Sequence, residues 1–159
     1  MKGTAILNQL LPPRFDNTYR GYKVAVWLFG LLVVIKIAMS LNSIFNGYSV
    51  ASSADGIPLD TFTPAAAQMV VYLVATWGLA HLILSLLCIL VLIRYRSMIS
   101  LMFALLLLEL LSRKLVHHFV PTVRTGTPPG YFVNIFLIVV MFVGIALSLL
   151  NRSNRQLQN

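Results

Sequence analysis

The chain has 159 residues, of which 58% are hydrophobic and 10% charged, and carries a formal net charge of +8. A soluble domain of this length could not hide so much apolar surface from water, so the composition excludes an ordinary globular fold and points to a bilayer as solvent. The 12 Lys and Arg form no single patch or helix stripe, which speaks against nucleic acid as a partner.

The first 22 residues carry Lys2, Arg14 and Arg20, with Lys23 at the edge of the first apolar run. The stretch around Ala5 to Leu11, before Pro12-Pro13, reads as either a short interfacial helix or a disordered tail. The apolar run that follows is longer than the core of a signal peptide, and no small-residue cleavage site ends it, so it reads as a retained span.

Four apolar segments are expected to cross the membrane as helices, at about 24–44, 68–93, 98–116 and 131–150, each near the roughly 20 residues that about 30 Å of hydrocarbon requires. Only helices satisfy their backbone groups there without strand partners, so the β-branched runs Val33-Val34-Ile35 and Val139-Val140 do not argue for a sheet. Asn46-Gly47 and Gly56-Ile57-Pro58 punctuate the first loop, and Thr127-Pro128-Pro129-Gly130 ends the third. Pro64 suits the first turn of the second span, where its missing N–H costs nothing. The predicted fold class is an all-α integral membrane protein, a four-transmembrane-helix bundle over residues 23–151, flanked by terminal segments 1–22 and 152–159.

Orientation follows the basic residues. Lys2, Arg14, Arg20, Lys23, Arg94, Arg96, Arg152 and Arg155 fall on one side, against Arg113, Lys114 and Arg124 on the other. The expectation is therefore N-in/C-in, with both termini cytoplasmic and the first and third loops outside. In architecture the chain resembles small four-span proteins of the bacterial inner (plasma) membrane.

Four ionisable residues sit within the spans: Lys36, His81, Glu109 and Arg113. A charge at the bilayer centre costs about 2.5–3.5 kcal/mol on insertion scales, so these groups should face one another or a wet cavity. At about 1.5 Å rise per residue, Lys36, His81 and Glu109 lie roughly 16–18 Å from the inner ends of their helices, at one level. A buried Lys36–Glu109 ion pair is expected, with His81 in hydrogen-bonding range and Arg113 one turn from Glu109 on the same face. Small and polar residues share these stripes: Ser40 and Ser43 with Lys36; Gly78, Ser85 and Cys88 with His81; Ser112 with Glu109; Asn134 and Ser148 on the last span.

Asp55, Asp60, His117, His118 and Arg124 form a second set of polar candidates on the outer face. Adjacent histidines on a helix point apart, so no metal site is expected, and His81 and His117 differ in depth by roughly 10 Å, which disfavours a bis-histidine haem. No cofactor is expected. Cys88 is the sole cysteine, so neither an internal disulfide nor dithiol chemistry is available. Trp27, Tyr19, Tyr22, Tyr131 and Phe119 read as an interfacial aromatic belt, while Tyr72 and Trp77 lie deeper, as packing residues or as the wall of a lipid or quinone pocket. Leu105 to Leu108 reads as a lipid- or partner-facing surface.

No nucleophile elbow, zinc-protease motif, phosphate loop or paired carboxylates occur, which weighs against an enzyme. The leading expectation is a non-catalytic accessory, assembly or scaffolding subunit of a membrane complex or homo-oligomer, with membrane lipids and other membrane subunits as partners. Two other classes stand beside it: a small oligomeric transporter or channel lined by Lys36, His81, Glu109 and Arg113, and a lipid- or quinone-binding protein that uses the outer-face residues.

Overall fold

A computed structural model describes residues 10, 17, 19, 21–121, 123, 124 and 126–150. It is 85% helical and has no strands among the described residues. Four long helices dominate: α1, Lys23–Phe45; α2, Pro64–Arg94; α3, Ile99–Phe119; and α4, Pro129–Leu149. Apart from Leu10, the expected interfacial helix at residues 5–11 lies outside the described residues, as does the tail 152–159.

Three of the four, α1, α2 and α4, are long and apolar enough to cross a membrane. At 31 residues α2 is about 46 Å long by helix rise, so it tilts in a bilayer or projects beyond it. α3 matches α4 in length, 21 residues, but carries Glu109, Arg113 and Lys114 in its second half, and these charges set it apart from the other three.

The helix starts follow local chemistry. Thr63 caps α2, its Oγ1 accepting from Ala66 N at 3.3 Å, and Pro64 occupies the first turn. α4 likewise begins at a proline, Pro129. The connection between α2 and α3 is a single 3-10 turn, Arg96–Met98. Between α1 and α2 the chain makes one helical turn, Gly47–Ser49, and a π-helical turn, Val50–Ala54. It then reverses at Gly56, whose φ of 72° lies in the left-handed region that a glycine adopts without Cβ strain.

α1 is the hub. It packs most extensively along α2, also packs against α4, and touches α3 only lightly, while α3 packs mainly on α4. α2 and α3, although consecutive, also make little direct contact. A hydrogen bond from Tyr22 N to Leu147 O, 3.2 Å, ties the start of α1 to the end of α4, so the first and last helices meet the same end of the molecule. Loop 46–63 and the described residues of loop 120–128 lie at the opposite end, the loop end.

The interior is layered along the helix axes. Near the end away from the loops, Phe29, Leu32, Cys88, Phe103 and Met141 belong to a closely packed apolar core. Phe29 and Phe103 meet edge to face with ring centroids 5.1 Å apart, which joins α1 to α3. A smaller apolar cluster of Ala51, Leu59 and Val74 seats the first loop on α2. Lys36 and the other charged groups lie between the core and the loop end.

Four expectations about faces change. Leu106 and Leu107 are buried whereas Leu105 and Leu108 are exposed, because four consecutive residues wind through a full helical turn and cannot share one face. Ser112 is exposed although it neighbours Arg113, being a further 100° around the helix from the inward side. Tyr72 is exposed. Tyr19, grouped with the aromatic belt, instead packs against the core with its hydroxyl buried and unpartnered among the described residues, and burial pushes its pKa up to about 12.

Candidate functional site

Glu109 is the centre of the charged layer, and three helices converge on it. Lys36 Nζ, from α1, donates to Glu109 Oε2 at 3.5 Å. His81 Nε2, from α2, lies 3.1 Å from Glu109 Oε1, and its Nδ1 lies 3.1 Å from the Trp77 carbonyl. Both partners of that ring are acceptor oxygens, and the tautomer sets which ring nitrogen donates. Arg113 Nε, one turn along α3, is 3.0 Å from Glu109 Oε1. The Nε is buried and makes no aligned hydrogen bond, so the short distance reflects Coulombic attraction rather than a directed bond.

Lys36 is 5% exposed and sits on the buried stripe of α1 with Ser40, whose hydroxyl donates to the Lys36 carbonyl at 2.7 Å. Gly78 makes the close approach of α1 and α2 possible. A Cβ there would lie 2.7 Å from Ser43 Cβ and 3.0 Å from the Ser40 carbonyl oxygen. Trp77 packs between Arg113 and His81. The Arg113 guanidinium carbon lies 4.5 Å from the indole centroid, and the His81 ring meets it edge-on at 4.9 Å.

Above this layer, toward the loop end, a cavity of about 260 Å³ opens. Lys36 and Arg113 form its cationic wall with the His81 ring beside them, and Trp77 and Met39 add apolar surface. Asn42, Asn134 and Asp55, with Ser40 and Ser43, add polar surface. Asp55 is brought there by the π-helical turn Val50–Ala54, and the turn is held against α4 because Gly130 lacks a side chain: a Cβ on Gly130 would stand 2.6 Å from the Ala54 carbonyl oxygen. Burial raises the Asp55 pKa above the ordinary carboxylate value, although Arg124 and Arg113 are close enough to oppose that rise.

Sequence reasoning thus named two groups of polar residues, and the fold redistributes them. Lys36, His81, Glu109 and Arg113 come together, with Glu109 just behind the cavity wall. Of the outer-face set, Asp55 joins the cavity, and Arg124 is in Coulombic range of Asp55. Asp60, His117 and His118 are exposed and stand away from the cavity, His118 packing edge-on to Phe119 instead. Sequence reasoning missed Asn42, Met39 and Gly130. The Pro-Pro-Gly start of α4 signalled a break, but the need for a bare α-carbon at Gly130 arises only when the first loop folds back onto it. No protein-family profile matches the sequence, and no curated protein or solved structure matches it either.

Proposed function

We propose that this chain is a non-catalytic, four-span protein of a bacterial inner membrane that binds a polar-headed ligand, a lipid or quinone-like molecule, in the cavity at its loop end. α3 is the fourth span in this reading. Glu109 and Arg113 are engaged with α1 and α2 rather than turned to hydrocarbon, and Lys114 Nζ lies 5.3 Å from the Tyr131 ring centroid near the helix end, where a lysine reaches the interface. An even number of spans fits the shared end of α1 and α4, and the lysine and arginine asymmetry supports a cytoplasmic position for that end.

The observation that carries the binding role is the cavity itself: a half-open space of about 260 Å³, near the low end of ligand-site sizes, that ends on convergent polar groups beside an indole. The expected role of accessory or scaffolding subunit, self-associated or within a larger complex, is compatible with a bound ligand and becomes its setting rather than its rival. A transport path through a single chain is less well supported. The close-packed core of Phe29, Leu32 and Phe103 lies below the charges, so a conduit would have to run between subunits.

Native mass spectrometry of protein extracted with its membrane lipids tests the reading. The parent chain is expected to retain one ligand mass, and a Gly78→Leu variant, which wedges α1 from α2 at the cavity wall, should lose it. A parent chain with no ligand enriched over bulk lipid overturns the binding role.

A further inference from the structure

The cavity is chemically two-sided, and its ligand is expected to be two-sided as well. On one side, the protein supplies more hydrogen-bond donors than acceptors. Lys36 carries three N–H groups, and among the described residues its ammonium donates only to Glu109, at a long 3.5 Å. Arg113 carries five N–H donors, and its buried Nε has no aligned acceptor. Glu109 cannot absorb this surplus, because His81 and Arg113 already approach one of its oxygens and Lys36 the other. Acceptor oxygens from a ligand would complete the set, and charge-assisted bonds of this kind are the stronger class.

The other side is acidic. Asp55 lines the same cavity, delivered by the first loop. A ligand that was only an anion would meet its carboxylate at close range. An ammonium or other N–H donor would instead find an acceptor there. Lys36 and Arg113 against Glu109, and Arg124 against Asp55, leave an excess of positive charge that fits a phosphate better than a neutral head.

Resting on the binding role above, we propose that the cavity takes a zwitterionic head in which an anionic phosphate lies on Lys36 and Arg113 and a primary ammonium lies on Asp55. The shared chemistry is that of phosphoethanolamine, whether it arrives on a phospholipid or as a free phosphate ester. Burying a carboxylate for this purpose costs the empty protein stability, and Asp55 records the cost. Its raised pKa means that ionisation disfavours the folded state, so its stabilising contribution is full below the ordinary carboxylate range and is lost as pH rises through the folded-state pKa. Arg124 and Arg113 oppose this from nearby, and Lys36 and His81 face the same space.

Trp77 is a built-in reporter, since the chain has 2 tryptophans and Trp27 is 82% exposed away from the cavity. A Trp27→Phe chain in an uncharged detergent would be titrated with dihexanoylphosphatidylethanolamine, its choline counterpart and free phosphoethanolamine while Trp77 emission is followed. The choline head has the same phosphate but no N–H to donate. The ethanolamine lipid is expected to bind about tenfold more tightly than the choline lipid, the worth of roughly one net hydrogen bond. Asp55→Asn should abolish that preference, weakening the ethanolamine lipid more than the choline lipid, whose quaternary ammonium loses only Coulombic attraction. The same substitution should raise the thermal midpoint of the empty protein at pH 7, with the gain vanishing in acid, which shows the variant to be folded. Equal binding of both lipids by the parent, or a preference that survives Asp55→Asn, overturns the zwitterion assignment and leaves the binding role standing. If neither lipid nor free phosphoethanolamine moves Trp77 emission, the assignment fails, and the mass-spectrometric result then decides whether the cavity binds anything. Free phosphoethanolamine binding as tightly as the lipid supports the head chemistry and identifies the ligand as soluble.

Discussion

Glu109 is the single carboxylate that pairs with both Lys36 and Arg113 and lies within hydrogen-bonding distance of His81, so its removal leaves both cations without a counter-charge. Breaking a buried pair by deleting one partner costs more than replacing both, because the surviving charge is stranded in low dielectric. Glu109→Gln is therefore expected to destabilise the chain by about 3 kcal/mol in mild detergent, read by thermal or chemical unfolding. Adding Lys36→Met should recover at least half of that loss, since the buried ammonium that needed the carboxylate is gone. A double variant no more stable than Glu109→Gln alone would show that Lys36 does not depend on Glu109, and the charged layer would lose its centre. This level was legible in the sequence for a simple reason. Charges inside spans are expensive, and a constant helix rise turns residue number into depth.

Helices were legible for the same kind of reason, and their mutual arrangement was not. The apolar lengths gave four elements close to α1, α2, α3 and α4, and Pro64 marked a start correctly. Nothing in the periodicity says that α1 should be the hub or that α3 should lean on α4 instead of its sequence neighbour α2. That order is set by shape at particular residues. A Cβ on Gly144 would fall within the van der Waals surface of the Phe103 ring, so this bare α-carbon lets α4 take up the aromatic that also meets Phe29. Gly144→Ala is expected to cost about 1–3 kcal/mol through overpacking, seen as a lowered unfolding midpoint. Gly30 provides the control. A Cβ there lies 3.7 Å from Leu92 Cδ2, an ordinary contact, so Gly30→Ala should be near neutral or slightly stabilising. Equal losses at the two glycines would mean that generic helix effects, not the fit of Phe103, hold α3 and α4 together.

At the scale of the whole molecule, the cavity was the least legible feature, because it joins residues far apart in the chain. Asp55 reaches Lys36 and Arg113 only through the Val50–Ala54 turn, the reversal at Gly56 and the bare surface of Gly130. The same geometry puts a functional demand on orientation. A site at the loop end is exposed to whichever compartment receives the first and third loops, so the location of its ligand is fixed by the topology. Cys88 is buried and is the sole cysteine, so a Cys88→Ser background allows each surface to be probed separately. Ser53, exposed in the first loop, and Arg96, exposed in the connection between α2 and α3, are suitable positions. In intact cells an impermeant maleimide is expected to label Ser53→Cys at once and Arg96→Cys only after the membrane is opened. The reverse pattern would turn the molecule over and make the cavity cytoplasmic, and labelling of both from outside would remove α2 from the membrane. The expected pattern would instead place the cavity mouth in the outer leaflet's headgroup zone, where a zwitterionic phospholipid could reach Asp55 without crossing the apolar core.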